Sequence, residues 1–365
     1  MIIDPWTLFG FDPYPLLRPF LFLLDPEVAH VMTIKMLQYG LGPRADEPDD
    51  PILHTNVFGL DFPNPVGLAA GLDKQAEVID QFMRFGFGSI EIGGVTPLPQ
   101  PGNPKPRMVR VPTAKGLINR FGFNSVGADV FAERLKKWRE NPKRTHNPVG
   151  VNLGKNANSI DDAADYVTCL AKVGPFADFV TINVSSPNTT GLRDLQERER
   201  LSSLLEKVMS ARQTYAPRLP VLVKISPDVT LAQQEDIAAV VLESGIQGLI
   251  VGNTSLMRPD VIPPHLAKEA GGFSGPAMFE PTTQLLSNMY KLTQGKIPLI
   301  GNCAINSGED AYRKIRAGAS LVQIYTVLVY EGPLVVRRIK KELAACLRRD
   351  GFASMAAAVG ADYKD

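Results

Sequence analysis

Val149-Gly150-Val151-Asn152-Leu153, Phe179-Val180-Thr181-Ile182-Asn183-Val184 and Val221-Leu222-Val223-Lys224-Ile225 are three short apolar runs, each with a polar side chain at or near its carboxyl end. Runs of this length, rich in β-branched residues and apolar on both faces, read as strands buried in a parallel sheet. Stretches of helical period near 159–173 and 197–214 separate them. The alternation extends in both directions, through Pro65 to Ala70, Ser89 to Ile92, Leu249 to Val251, Pro298 to Ile300 and Leu321 to Ile324. Helical periods recur near 75–85, 127–140, 231–244, 280–294, 308–317 and 333–349. Eight such units predict an α/β chain folded as a closed (β/α)8 TIM barrel rather than an open doubly wound sheet. No GxGxxG follows the first strand, which argues further against a dinucleotide-binding fold.

The polar strand ends are Asp73 with Lys74, Thr96, Asn152, Asn183, Lys224, Asn253, Asn302, and Tyr325 with Thr326. In a barrel they converge on the face where active sites lie. Any one of them could be only a cap or a turn. Taken together, the set is rich in Asn and Lys and poor in carboxylate and His, so it suits a planar, anionic, amide-bearing ligand and not a divalent metal.

Composition narrows the field. The 365 residues are 44% hydrophobic and 21% charged, an ordinary globular mix. Lys+Arg 39 against Asp+Glu 38 leaves +1, so no bulk field gathers nucleic acid. Cys169, Cys303 and Cys346 are too far apart for a CxxC pair and too few for a disulfide framework, which fits a reducing compartment. His30, His54, His146 and His265 are equally scattered, with no HExxH. No metal is expected.

The first 24 residues are apolar and aromatic but broken by Pro5, Pro13, Pro15 and Pro19, and the continuous run Pro19 to Leu24 is too short to span a bilayer. Asp4 and Asp12 precede Arg18, unlike a secretory signal or an Arg-rich transit peptide. Phe9, Phe11, Leu16, Leu17, Phe20, Leu21, Leu23 and Leu24, followed by an amphipathic stretch from Pro26 to Tyr39, predict short helices with an exposed apolar face. Residues 1–45 are therefore expected to form a helical extension lying in a membrane interface, and residues 46–365 the barrel domain. The competing reading is a segment that merely packs on the barrel.

Around the fourth strand the chain reads Asn183-Val184-Ser185-Ser186-Pro187-Asn188-Thr189, continuing through Gly191, Leu192 and Arg193. With LAAGLDK at 68–74, GNPKPR at 102–107, INRFGFNS at 118–125, GVNLGKN at 150–156, VKISPD at 223–228 and KIRAGASLVQIYT at 314–326, the chain resembles the dihydroorotate dehydrogenase family, and within it the quinone-linked, membrane-associated class 2 branch. The resemblance implies FMN-dependent oxidation of (S)-dihydroorotate to orotate in pyrimidine synthesis, with a quinone as final acceptor. It also implies a monomer peripheral to a bacterial cell membrane on its cytoplasmic side, or to a mitochondrial inner membrane.

Removing two hydrogens from a C–C bond beside a carbonyl requires a base for the proton and an acceptor for the hydride, a role flavin fills where no nicotinamide fold exists. By resemblance Ser186 is that base, in a loop with Pro187, Thr190 and Gly191 that could close over it. Asn119, Asn183, Asn188 and Asn253, assisted by Thr254, would bind the amide edges of the orotate ring, with Arg120, Phe121, Gly122 and Phe123 around it; Lys74 would hold the carboxylate. Cofactor contacts are expected from Ala70, Gly71, Leu72, Asp73, Lys74, Gly94, Asn152, Asn183, Lys224, Gly252, Gly275, Ala304, Tyr325 and Thr326. Leu17, Phe20, Leu21 and Leu24 would wall the quinone tunnel, with His30 and Arg110 near the quinone head.

The chain departs from the family pattern in three places. Gly301-Asn302-Cys303-Ala304-Ile305 lacks the usual glycine pair of the phosphate loop, and either position would cost of order 1 kcal/mol if it needed positive φ. Gly94 and Gly252 stand where a hydroxyl-bearing residue is more common. These changes motivate a rival reading, a flavin-weakened or flavin-free barrel acting as a binding protein. A soluble fumarate- or NAD-linked dehydrogenase is the other alternative, but such relatives use a Cys base and lack the extension.

Overall fold

The computed structural model describes residues 12–45 and 47–364, so Asp4, Pro5, Phe9 and Phe11 lie outside the described residues. Eight parallel strands close into a barrel: β3 (Val66–Leu68), β4 (Ser89–Val95), β7 (Val149–Leu153), β8 (Phe179–Asn183), β9 (Val221–Ile225), β10 (Gly248–Val251), β12 (Leu299–Gly301) and β13 (Ala319–Ile324). Each arises from one of the eight runs named above, within three residues at either end. Valine, isoleucine and leucine on their outer faces pack against the surrounding helices in one continuous core.

Two additions were not legible. A hairpin of β1 (Thr55–Val57) and β2 (Leu60–Phe62) plugs the amino-terminal end of the barrel, where Phe62, Phe179, Leu222, Ile250, Ile300 and Leu321 pack together. Inserted at the opposite end, β5 (Met108–Val111), β6 (Gly116–Asn119) and β11 (Gly272–Ser274) form a small antiparallel sheet. The expected helix near 75–85 shortens to Ile79–Met83, because the Asp73 carboxylate accepts from the Glu77 and Val78 N–H groups at 2.9 Å each and folds the preceding residues into a turn.

Strand register aligns the polar ends. Asn183 is paired with Lys224 across β8 and β9, and Gly93 with Asn152 across β4 and β7. Neighbouring strands thus deliver amides and an ammonium to one level of the barrel interior.

The amino-terminal segment forms two helices, Tyr14–Leu23 and Pro26–Gln38. The first buries none of its residues, leaving Leu16 64%, Phe20 70% and Leu23 83% exposed. The second is capped by Asp25 and sinks Ala29, Ile34 and Leu37 into the protein. Polar ties hold the pair down. Tyr14 Oη donates to the Val329 carbonyl at 2.8 Å and Arg18 to that of Tyr330 at 2.8 Å. Arg110 donates to the Leu24 carbonyl at 2.7 Å and the Leu21 carbonyl at 3.3 Å, closing the helix end where carbonyls lack partners. Among the described residues no helix is long and apolar enough to cross a membrane.

The strongest tie is Glu27, which accepts two hydrogen bonds from the nearly buried Arg107 at 2.8 and 3.1 Å and also pairs with Lys105 at 3.2 Å. Breaking a pair this sheltered leaves an unmatched cation, so Glu27→Ala is expected to lower unfolding stability by ~3 kcal/mol. Denaturant unfolding checks the loss, and limited proteolysis should cut residues 12–40 faster than in the parent.

Candidate active site

A carboxylate sits at the centre of the barrel mouth. Glu91, wholly buried on β4, accepts from Asn152 Nδ2 at 2.7 Å and Gln323 Nε2 at 2.9 Å, and the Lys224 ammonium lies 3.8 Å from its second oxygen. From Asn152 a chain of amides and a hydroxyl crosses the floor of the cleft. Asn183 donates to Asn152 at 2.9 Å, Ser185 Oγ donates to Asn183 at 2.8 Å, and Asn253 donates to Ser185 Oγ at 2.7 Å. Each side chain has its orientation fixed by the next, which leaves specific amide edges presented to a ligand.

Ser186 follows Ser185 on the loop after β8 but is only half-buried and lines the cleft, where its Oγ accepts from the Asn188 N–H at 3.3 Å. Asn188 Nδ2 reaches Asn119 Oδ1 at 3.3 Å, so the loop and β6 meet over the site. Arg193 braces the loop from behind, bonding the Ser185 carbonyl at 3.0 Å, the Thr254 carbonyl at 3.1 Å and Asp228 at 2.8 Å. On the far wall Lys74 donates to the Gly71 carbonyl, and its ammonium stands 4.4 Å from the Phe121 ring centroid, whose ring also carries Arg107 at 5.1 Å. Burial, then the charge of Arg107, pushes Lys74 down to about 8. It remains a cation at neutral pH.

The cleft gathers Ala70, Gly71, Lys74, Gly94, Asn119, Phe121, Gly122, Phe123, Asn152, Asn183, Ser186, Asn188, Lys224, Asn253, Thr254, Gly275, Ala304, Tyr325 and Thr326 of the residues singled out from sequence. Four of the expected substrate and cofactor residues lie off its lining, as do the six expected along the quinone path. Arg120 turns outward to Glu269 at 2.9 Å and the Pro106 carbonyl at 2.7 Å. Asp73 is buried as the turn cap described above, Leu72 packs on the core, and Gly252 lies behind Cys303. His30, half-buried, is held down to about 3 by burial and by the Lys74 charge, so it is a neutral imidazole.

Sequence reasoning missed Glu91 and Gln323, the hub of the network, although both stood inside apolar runs where an unpaired polar residue would be costly. Missed too were Ser274, whose hydroxyl meets that of Thr326 at 2.8 Å, and Asn306, which donates to the Ala304 carbonyl at 2.8 Å.

The loop after β12 adopts the glycine-like backbone without glycine: Cys303 has φ +75° and Ala304 φ +59°. Cys303 is held from both sides, its N–H donating to Asn302 Oδ1 at 2.7 Å and its Sγ to the Asn253 carbonyl at 3.1 Å. The thiol is pushed up to about 11, by burial despite Lys314 and Lys224. A Cβ at Gly252 would stand 3.0 Å from Cys303 Sγ, so the cysteine fills space that a side chain at 252 would need.

A parallel barrel with its polar groups at the carboxyl ends of the strands, roofed by an inserted sheet, has the architecture of a barrel enzyme that binds an anionic, amide-bearing ligand. A sequence model of the dihydroorotate dehydrogenase family matches residues 52–347, and the chain belongs to that family. It is 50% identical over 357 residues to dihydroorotate dehydrogenase (quinone) of Azorhizobium caulinodans, covering 97% of this chain and 100% of that protein. The mitochondrial dihydroorotate dehydrogenase (quinone) of Mus musculus is 48% identical over 347 residues, 94% of this chain and 88% of its own. The crystal structure of the ligand-free enzyme from Eimeria tenella superposes with a TM-score of 0.90 at 42% identity, covering 93% of this chain and 100% of that one. The likeness is therefore to the quinone-linked branch.

Positive φ costs a Cβ-bearing residue ~1 kcal/mol or more, and alanine has nothing to offset it. Ala304→Gly is expected to raise stability by ~1 kcal/mol, whereas Cys303→Gly gains less because it forfeits the Sγ contact to Asn253. Thermal unfolding of the two variants reads the difference.

Proposed function

We propose that the protein oxidises (S)-dihydroorotate to orotate in pyrimidine biosynthesis, with FMN as the immediate hydride acceptor and a membrane quinone as the final one. The observation that carries the reading is the convergence, in one cleft, of a half-buried serine hydroxyl, a set of oriented asparagines and a cation. Membership of the family supports it.

The residues present suit a flavin nucleotide. Lys224 lies on the barrel floor, largely compensated by Glu91 yet able to stabilise negative charge above it. The Ala304 and Ile305 N–H groups have no protein acceptor among the described residues, and they border the cleft beside Gly275 and Thr326. Paired free N–H groups in a turn with positive φ make an anion-binding concavity. When bound, FMN supplies the hydride acceptor that none of the side chains offers.

The chain's own residues do the rest. Asn119, Asn188, Asn183 and Asn253 present donors and acceptors to the pyrimidine ring, and Lys74 answers the carboxylate. The Phe121 ring, under two cations, walls that end from water. Ser186 Oγ would take the proton from the substrate carbon while passing its own hydroxyl proton to a relay; since a neutral hydroxyl is a weak base, the loop around Pro187 must close over the site. Ser185 has a different task. Its Oγ is fully buried and committed to Asn183 and Asn253, so it orients ring-binding amides.

Ser186→Ala is accordingly expected to slow flavin reduction by dihydroorotate ~10²-fold or more with FMN retained. Ser185→Ala should chiefly weaken substrate binding. Stopped-flow reduction rates at saturating substrate separate the two, and equal losses would sink the assignment.

The exposed apolar face of helix Tyr14–Leu23 supports attachment to a membrane surface and entry of quinone past it, with Leu17, Phe20, Leu21 and Leu24 as walls. Neutral His30 can hydrogen-bond a quinone oxygen, while Arg110 shapes the entrance through its grip on the helix end. No residue of the first helix is fully buried, its contacts being partial ones such as Phe22 edge-on to Tyr330 at 5.5 Å, so removing residues 1–24 spares Ile34 and Leu37 of the second. That truncation should leave reduction by dihydroorotate intact and abolish most liposome binding and long-chain quinone turnover. Full turnover in the truncated protein would refute the quinone path.

A further inference from the structure

Lys314 lies on the helix Gly308–Arg316 and is fully buried, with 0% exposure. Its ammonium donates to Thr282 Oγ1 at 3.0 Å and Thr283 Oγ1 at 3.1 Å. Neither hydroxyl needs the lysine, since Thr282 donates to the Met278 carbonyl at 2.6 Å and Thr283 to the Phe279 carbonyl at 2.7 Å. Among the described residues no carboxylate pairs with Lys314. The two acids whose charge reaches it are committed elsewhere, Asp310 to the Asn306 and Ser307 N–H groups and Glu280 to Arg313 at 2.9 Å.

An unpaired buried ammonium is rare because desolvation is costly. Its two hydroxyl partners lie near the amino-terminal end of the helix Phe279–Leu292, where the backbone dipole is positive, while Lys314 itself lies in the last turn of its own helix, where the dipole is negative. Desolvation pushes Lys314 down to about 8, which still leaves it charged at pH 7. The wall offsets that charge only in part, through the Phe279 ring 5.1 Å from the ammonium and the carboxyl end of the lysine's own helix, so a positive charge is built in with no carboxylate paired to it.

What lies in front of that wall is the strained turn. The Lys314 stem packs behind Gly301, where a Cβ would come 3.3 Å from its Cδ, and its charge reaches Cys303. Cys303, Ala304 and Ile305 face the cleft, the last two with free N–H groups. We propose that Lys314, from outside the cleft, supplies the counter-charge for a phosphate monoester seated on the Cys303–Ile305 turn, and so makes the pocket select the phosphorylated flavin over the phosphate-free one. The proposal rests on the flavin reading above and adds to it the residue that sets phosphate selectivity.

The test uses the full-length chain stripped of flavin and titrated with FMN and with riboflavin, followed by flavin fluorescence. The parent should prefer FMN. In Lys314→Met, which keeps the volume and removes the charge, the FMN-to-riboflavin preference should fall on the order of tenfold, with riboflavin affinity nearly unchanged. The flavin-free variant should also melt higher than the flavin-free parent, because an unmatched buried charge is gone. A merely structural lysine would give the opposite pattern, a lower melting point and equal losses for both ligands, and an unchanged preference overturns the proposal. Should the methionine variant fail to fold, Lys314→Gln retains hydrogen bonding to the threonines and reads the same ratio. A parent that binds neither flavin refutes the cofactor reading instead.

Discussion

The Glu91 carboxylate, sealed in the barrel with no exposure, is the constraint from which the site follows. An isolated buried carboxylate is untenable, and removing one partner of such a group typically costs about 3–5 kcal/mol. Asn152, Gln323 and Lys224 are therefore obliged to turn inward. Once Asn152 spends its N–H on Glu91, its oxygen is free for Asn183, which in turn orients Ser185 and Asn253. A single buried charge thereby fixes the direction of amides on four different strands or strand ends. That rigidity suits the amides to the ring recognition proposed for them, in which individually weak hydrogen bonds must act together.

A second set of charges links the extension to the same site. Glu27 on the helix Pro26–Gln38 holds Arg107, Arg107 stacks on Phe121, and Phe121 carries Lys74 on the cleft side. The extension is thus secured through ion pairs, carbonyl contacts and the buried Ala29, Ile34 and Leu37 of its second helix, while Leu16, Leu17, Phe20 and Leu23 of the first remain outside. Burial of those side chains would have been the stronger way to hold the segment on a protein in water. Their exposure leaves the first helix presenting an apolar surface.

The loop after β12 shows how a departure from a family pattern is absorbed. Cys303 and Ala304 take up positive φ, held there by the Cys303 N–H donating to Asn302, by Asn306 donating to the Ala304 carbonyl and by the Cys303 thiol donating to the Asn253 carbonyl. Gly252 supplies the room that the thiol occupies. Two departures noticed separately in the sequence are one arrangement in space.

Sequence by itself determined the barrel and the identity of most cleft residues. Parallel strands buried on both faces leave continuous β-branched runs, and their carboxyl ends must converge, so Lys74, Asn152, Asn183, Lys224 and Asn253 could be read without coordinates. The apolar extension was legible for the same reason, since its aromatic residues follow no barrel period. Tertiary structure alone decided which of the polar residues touch. Glu91 and Gln323 are 232 positions apart and meet only because β4 and β13 both flank β3 in the closed barrel. The roof strands β5, β6 and β11 are too short to show a period, and they form because loops separated by more than a hundred residues fold over the same opening. Arg120 and Asp73 sit beside cleft residues in the chain yet point elsewhere, because a neighbour in sequence shares a backbone and not a direction.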